Sequence, residues 1–124
     1  MPDYYEDFLI YGGEHYSAYF HAEAKDSSEV YDYFECRDDT TQASLLFLIK
    51  RMGDTGRIYD TTKFRIEDWD NKIYCFKPKK ERFFCFFFTG KRIIITSAYT
   101  KKKQKLDRSE IRKAIQIRDK YFNG

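Results

Sequence analysis

Tyr99-Thr100-Lys101-Lys102-Lys103-Gln104-Lys105 stands between an apolar strand and a helix start, and Arg82 opens the strand before that one. A tight antiparallel hairpin brings its first and last residues to the same end, so Arg82 and Tyr99 should lie close together with the lysines just beyond. Cations gathered in this way can hold a phosphate. The guanidinium does so through a planar fork of donors, and each ammonium acts as a point charge. Lys77, Lys79 and Lys80 shortly precede Arg82 and extend the same cationic stretch.

The charge pattern of the whole chain agrees. Residues 1–70 hold 7 Lys and Arg against 16 Asp and Glu, a net of −9, whereas residues 71–124 hold 16 against 4, a net of +12. The overall charge of +3 conceals this split. A cationic half suits a polyanionic partner; the plainer alternative is a solvated surface with internal charge pairing.

Other chemistries lack their parts. The three cysteines, Cys36, Cys75 and Cys85, form no CxxC pair, which argues for reduced thiols and against a disulfide framework or a zinc site. His15 and His21 are the only histidines and have no companion ligand at metal-site spacing, so neither a metal centre, nor a cofactor, nor a Ser-His-Asp triad is expected. The chain contains no run of 18 uncharged apolar residues, and its first residues are acidic where a signal peptide carries positive charge. A cytoplasmic location without membrane contact is the expectation.

The elements that must position these residues are legible in outline. A length of 124 residues, 19% of them aromatic and 35% charged, fits one globular domain. Residues 1–14, acidic and ending in Gly12-Gly13, read as an N-terminal extension, and residues 15–124 as the domain itself. His15 to Ala22 is a first strand. Asp26 and Glu29, at capping-box spacing, start a short helix with Val30, Tyr31 and Phe34 on one face. After a polar break at 37–41, Ala43, Leu46, Ile49 and Met52 continue as a second helix closed by Gly53 and Gly56. Lys72 to Lys77 is a strand stopped by Pro78. Arg82 to Thr89, with five Phe between 83 and 88, turns through Gly90-Lys91 into the strand Arg92 to Tyr99. Apolar runs without alternation mean that both faces are covered, so most of these Phe are core; a base-stacking platform is the sharper alternative. Asp107 and Glu110 then cap a C-terminal helix whose stripe is Ile111, Ala114, Ile115, Tyr121 and Phe122. The sum is an α+β fold: an antiparallel sheet of about four to five strands packed with an N-terminal helical hairpin and a C-terminal helix.

From Lys77 to Ala114 the chain resembles the RelE/HigB superfamily of bacterial toxin–antitoxin toxins, in particular its HigB-like, phage-protein-like branch. The resemblance rests on an Arg opening a strand after a short turn (Glu81-Arg82-Phe83-Phe84), an aromatic residue ending the next strand (Tyr99), and a Lys-Lys-x-Gln-Lys run before a helix with Glu110 and Ala114. The order of elements is similar as well. The chain departs from the pattern at Lys77, where Arg is common, at Cys75, where many have Glu, and at Asp107, where many have Pro.

The resemblance implies an mRNA-cleaving enzyme acting without a metal, with mRNA and the ribosome as partners and a neighbouring antitoxin, often one with a helix-turn-helix domain. Attack of a ribose 2′-OH on the adjacent phosphate needs a base, positive charge on the phosphorane and a proton for the leaving 5′-oxygen. Arg82, Lys101, Lys102 and Tyr99 are the catalytic candidates. Tyr99 and Tyr121 enter because neighbouring cations ease loss of a phenol proton. Lys77, Lys79, Lys80, Lys103, Gln104 and Lys105 are the candidate RNA contacts. A ParE-like gyrase inhibitor and a non-catalytic RNA-binding module are the alternatives, because fold alone does not separate them.

Overall fold

The computed structural model describes residues 4–123. A 3-10 turn (Tyr4–Phe8) leads into β1 (Leu9–Gly12) and β2 (Ser17–Phe20), followed by α1 (Glu29–Glu35) and α2 (Asp39–Thr55). A meander of β3 (Phe64–Asp68), β4 (Ile73–Phe76), β5 (Glu81–Phe88) and β6 (Arg92–Thr100) then runs into α3 (Arg108–Asn123). The six strands form one sheet in the order β1-β2-β6-β5-β4-β3. All neighbours are antiparallel except β2 and β6, which run parallel with Ala18 opposite Ile93.

The α+β class stands, but three expectations about the sheet and helices need correction. The sheet is mixed, because the long path through α1, α2 and the meander returns the chain to β2 in its own direction. It has six strands because β1 lies inside the stretch read as an extension, and because β3 was not foreseen. The helical pair is not N-terminal, since two strands precede it. The first three residues of the expected extension lie outside the described residues.

Local chemistry explains the helix ends. Ser28 is the N-cap of α1, its hydroxyl accepting from Tyr31 N at 3.1 Å while donating to His21 O at 2.6 Å; the expected Asp26–Glu29 box does not form. Asp38 caps α2 through Thr41 N at 2.7 Å, and Gly56 closes it in the left-handed region at φ 79°. The buried face of α2 is Leu45, Leu48, Ile49 and Met52; Ala43 and Leu46 face outward. A spacing of three alone rotates off the helix face, and the 3.6-residue period favours the pairs at 45/48/49/52. Gly53 is not a terminator. It lies within α2, where a Cβ on Gly13 would fall 2.3 Å from its carbonyl carbon, and its oxygen accepts from His15 N at 2.7 Å.

The sheet is covered on both faces. Against α1 and α2 pack Ala18, Phe20, Phe64, Phe76, Phe83, Cys85, Ile93 and Ile95. Against α3 pack Ile73, Cys75, Phe84, Phe86 and Ile94, meeting Ile111, Ala114, Ile117 and Tyr121. Central strands covered twice need apolar residues on both sides, which is the reason for the unbroken Phe and Ile runs. Phe83, Phe84 and Phe86 are buried, so an exposed base-stacking platform is excluded for them. Ile117 joins the α3 stripe where Phe122 was expected, the latter being exposed.

One buried polar group couples α3 to the rest. His21 lies 2.8 Å by Nδ1 from the Tyr121 hydroxyl and 3.5 Å by Nε2 from Glu23. Burial pulls its pKa below 6.5, against Glu23 and together with Lys120. The folded state therefore binds fewer protons at this site than the unfolded state. The associated stability is complete above pH 6.5 and is lost as pH falls through the folded value. Denaturant midpoints measured across this range should fall more steeply for the native protein than for His21→Gln.

Candidate functional site

Arg82 and Tyr99 are direct cross-strand partners at one end of the β5–β6 hairpin. The register has one irregularity, between Phe84 and Cys85, and the hairpin closes through Thr89-Gly90-Lys91, with Gly90 at φ 78°. Past the end of β6 the chain continues as a loop, and Lys101 N donates to Lys80 O at 2.8 Å. This bond draws the lysines before Arg82 and those after Tyr99 together. The loop and strand end enclose a cleft of about 440 Å³ lined by Tyr99, Thr100, Lys101, Lys102, Lys103 and Lys105, with Leu106 and Asp107 closing it.

The Arg82 guanidinium is held from behind. Its Nη1 donates to Lys79 O and to Glu81 O, each at 2.8 Å. Lys79 adopts φ 57° in the turn Pro78-Lys79-Lys80, where Glu81 N donates to Pro78 O at 3.0 Å, and this geometry presents its carbonyl to Arg82. Both Nη1 protons are thus engaged, while Nε is buried with no hydrogen-bond partner among the described residues. A buried orphan donor costs on the order of 1–3 kcal/mol, and an anion on the Nε–Nη2 edge would relieve it.

Tyr99 is not primed to lose its proton. Its ring stacks on Phe84 with centroids 6.0 Å apart and planes at 14°, and its hydroxyl oxygen accepts from Asp107 N at 3.1 Å. Burial raises its pKa above the ordinary 10.0, outweighing the opposing pull of the Asp107 amide and of Arg82. At neutral pH it is a neutral phenol and therefore a proton donor. Tyr121 lies elsewhere, in the core with His21, Phe86 and Phe88, and does not join the cleft.

The remaining candidates divide. Lys79, Lys80, Lys102, Lys103, Gln104 and Lys105 are exposed, with Lys101 partly so. Lys77 is instead turned inward, its side chain only 13% exposed; Nζ lies 3.4 Å from Glu67 Oε1 and donates to Thr61 O at 3.3 Å. Glu67 is buried in turn and also meets Arg65 Nε at 3.0 Å. The thiol of Cys75, pushed up to about 12 by burial, feels Glu67 as a raising charge and Arg82 and Lys77 as lowering ones, which places all four in one neighbourhood. Cys85 is likewise raised by burial, so both buried thiols are apolar packing and not nucleophiles. Among the described residues, no group of three His, Cys, Asp or Glu side chains converges as a metal cage.

Sequence reasoning passed over a second set of residues. On the reverse side of the strand end, the Tyr33 hydroxyl donates to Glu81, and Thr100 Oγ1 donates to the same carboxylate at 2.9 Å. Arg37 lies 3.6 Å from Glu81 and 4.1 Å above the Tyr33 ring. Burial, followed by the Glu81 bond, raises the Tyr33 pKa to about 12. Glu81 and Thr100 are themselves cross-strand partners, so this clamp ties α1 to the end of the hairpin that carries Arg82. A charged residue opening an otherwise apolar strand was the available signal for Glu81. For Arg65 and Glu67 it was the alternation Phe64-Arg65-Ile66-Glu67.

Residues 32–119 match the family model described as Phage derived protein Gp49-like (DUF891). No curated protein matches the chain. Among the described residues, no helix is long and apolar enough to cross a membrane.

Proposed function

Because the chain belongs to the Gp49-like family of phage-derived proteins, a group of RelE/HigB-like toxins, we propose that it is the toxin of a toxin–antitoxin pair and cleaves mRNA during translation. One observation carries this reading above all: the cross-strand pair Arg82 and Tyr99 stands beside a cleft walled by four lysines. An anion in the cleft meets positive charge on several sides. A neutral phenol is at hand where a proton is needed.

The reaction assigned to this arrangement is attack of a ribose 2′-OH on the neighbouring phosphate, with no metal ion and no cofactor. Arg82 binds the phosphate and stabilises the charge that grows on its equatorial oxygens, helped by Lys101 or Lys102. The carbonyls of Lys79 and Glu81 fix the guanidinium before substrate arrives, so little reorganisation is left for the transition state. Tyr99 gives its proton to the leaving 5′-oxygen, and one of Lys101 and Lys102 takes the 2′-OH proton on its amine lone pair while the other supplies positive charge to the phosphorane. Lys79, Lys80, Lys103, Gln104 and Lys105 attract and track the strand. Lys77, held by Glu67, contributes positive potential without direct contact. The cognate antitoxin is the resting partner, its acidic surface neutralising the cleft, and the protein works in the cytoplasm on ribosome-engaged mRNA.

The test is to incubate the purified protein with RNA alone and with translating ribosomes and to look for cut products. Unchanged DNA supercoiling by gyrase in its presence separates this activity from gyrase inhibition. Salt gives an independent expectation. If the exposed lysines replace counterions on single-stranded RNA, log affinity should fall by about 0.7 per neutralised phosphate for each unit of log salt. Several contacts give a slope of roughly −2 to −4 on that rule; a flat response would show that the cleft does not track phosphates.

A further inference from the structure

We propose that Tyr59 and Phe47 form a stacking subsite for a base of the same RNA strand that Arg82 holds by its phosphate, an assignment that rests on the RNA reading above. The two rings are 77% and 64% exposed, and they line a groove of about 530 Å³ between α2 and the loop before β3. Rings this exposed contribute little to the core. Tyr59 is nevertheless held in place: Arg57 Nη1 donates to its hydroxyl at 2.7 Å, and the guanidinium carbon lies 5.7 Å from the ring centroid.

Charge around the groove selects the occupant. Arg51, Arg57 and Lys63 are exposed beside it, three of the seven cations in the otherwise acidic first 70 residues. Asp60 also lines the groove, but its Oδ1 accepts from Thr62 N at 2.9 Å and from the Thr62 hydroxyl at 2.6 Å, which turns it onto its own loop. Aromatic faces flanked by cations accept any base by stacking while the cations follow the backbone.

The groove adjoins the cleavage end of the sheet. Lys77 N donates to Lys63 O at 2.8 Å, and Lys77 Nζ donates to Thr61 O. Phe76 pairs with Phe83, so the residue after Phe76 and the residue before Phe83, Lys77 and Arg82, are neighbours across β4 and β5. The groove opens on the α2 face of the sheet and Arg82 on the α3 face, so a strand held at Arg82 would reach the 57–63 loop by crossing the sheet end beside Lys77. A protein partner would have no need of this continuity, which favours RNA.

Binding of a single-stranded oligoribonucleotide, followed by anisotropy under non-cleaving conditions, tests the subsite in the full-length protein. Tyr59→Ala, checked for native circular dichroism, should weaken binding about 5- to 100-fold. Tyr59→Phe should stay within about twofold, since the ring face is kept. An RNA of the same length made abasic along its sequence should bind the native protein and Tyr59→Ala alike. Equal affinity of the native protein and Tyr59→Ala for intact RNA, with cleavage still observed, would overturn the subsite and leave the cleavage reading standing. Unchanged RNA affinity together with loss of antitoxin binding in Tyr59→Ala would assign the groove to protein docking and also overturn it. Absence of any RNA binding by the native protein would overturn both.

Discussion

Replacing Arg82 with alanine should slow single-turnover cleavage of saturating RNA by about 10²- to 10³-fold, the usual cost of removing one well-placed electrostatic contact to a developing anion. Its effect on RNA affinity should be far smaller, because the contact strengthens as charge builds on the phosphorane. Lys103→Ala should show the reverse pattern: a modest loss of affinity, about 1 kcal/mol or less on the scale of exposed charges, with the rate at saturation unchanged. Arg82→Lys should restore only part of the rate. An ammonium cannot accept the hold of the Lys79 and Glu81 carbonyls and still present a second donor edge to the phosphate. Equal, small effects at Arg82 and Lys103 would mean that the cluster merely attracts RNA.

Phe86→Ala should destabilise the fold by about 3–5 kcal/mol, a large share of the stability of a domain of this size. Phe86 is 1% exposed and meets Tyr121 at 5.3 Å and Phe122 at 5.8 Å between ring centroids, so its removal opens a cavity under α3. Trp69 is the contrasting aromatic, 70% exposed in the β3–β4 turn with Lys72 Nζ 5.2 Å from its ring. Trp69→Ala should change stability by no more than about 0.5 kcal/mol. Urea denaturation of the two variants checks both numbers; a shift at Phe86 no larger than that at Trp69 would contradict the packing described for the α3 face.

The residues show why some of this was legible in the sequence and some was not. The β5–β6 hairpin could be read because both strands are covered twice, which forces a long apolar run bounded by a Gly-containing turn, and the turn sets the register as far as Cys85. Antiparallel closure put Arg82 and Tyr99 at the same end, but the register set at the turn would pair Arg82 with Ala98; the irregularity between Phe84 and Cys85 shifts the pairing by one residue and makes Tyr99 its partner. β3 escaped because Phe64-Arg65-Ile66-Glu67 is a short edge strand whose four-residue alternation, the minimum that signals a strand, is set between the polar stretches 60–63 and 68–72. β1 escaped for a related reason: it is four residues long, partly exposed, and acquires its partner only when the chain turns back at Gly13. The parallel pairing of β2 with β6 is a contact between residues more than seventy positions apart, and no local signal specifies it.

Within the site, residue type was more legible than state. Spacing brought Tyr99 to the lysines, but burial against Phe84 and the Asp107 amide decides that its phenol keeps its proton, and neither is visible in a linear pattern. Lys77 read as one more exposed cation. Its ammonium is spoken for by Glu67, a residue on a strand that was not foreseen. The Tyr33–Glu81–Thr100 clamp joins α1 to the hairpin across nearly fifty residues and had no signal beyond the lone Glu at the start of an apolar strand.

The central claim is a metal-independent cleavage by the neighbouring 2′-OH, and the chemistry of the product ends tests it most directly. RNA cut by the purified protein, with ribosomes supplied where free RNA is not a substrate and with controls for ribosome integrity in chelator, should carry a 2′,3′-cyclic phosphate or 3′-phosphate on one fragment and a 5′-hydroxyl on the other. Cleavage of free RNA should persist in excess chelator, and RNA carrying a 2′-deoxyribose at the cut position should resist. Fragments ending in a 3′-hydroxyl and a 5′-phosphate, or equal cutting of the 2′-deoxy substrate, would contradict the account.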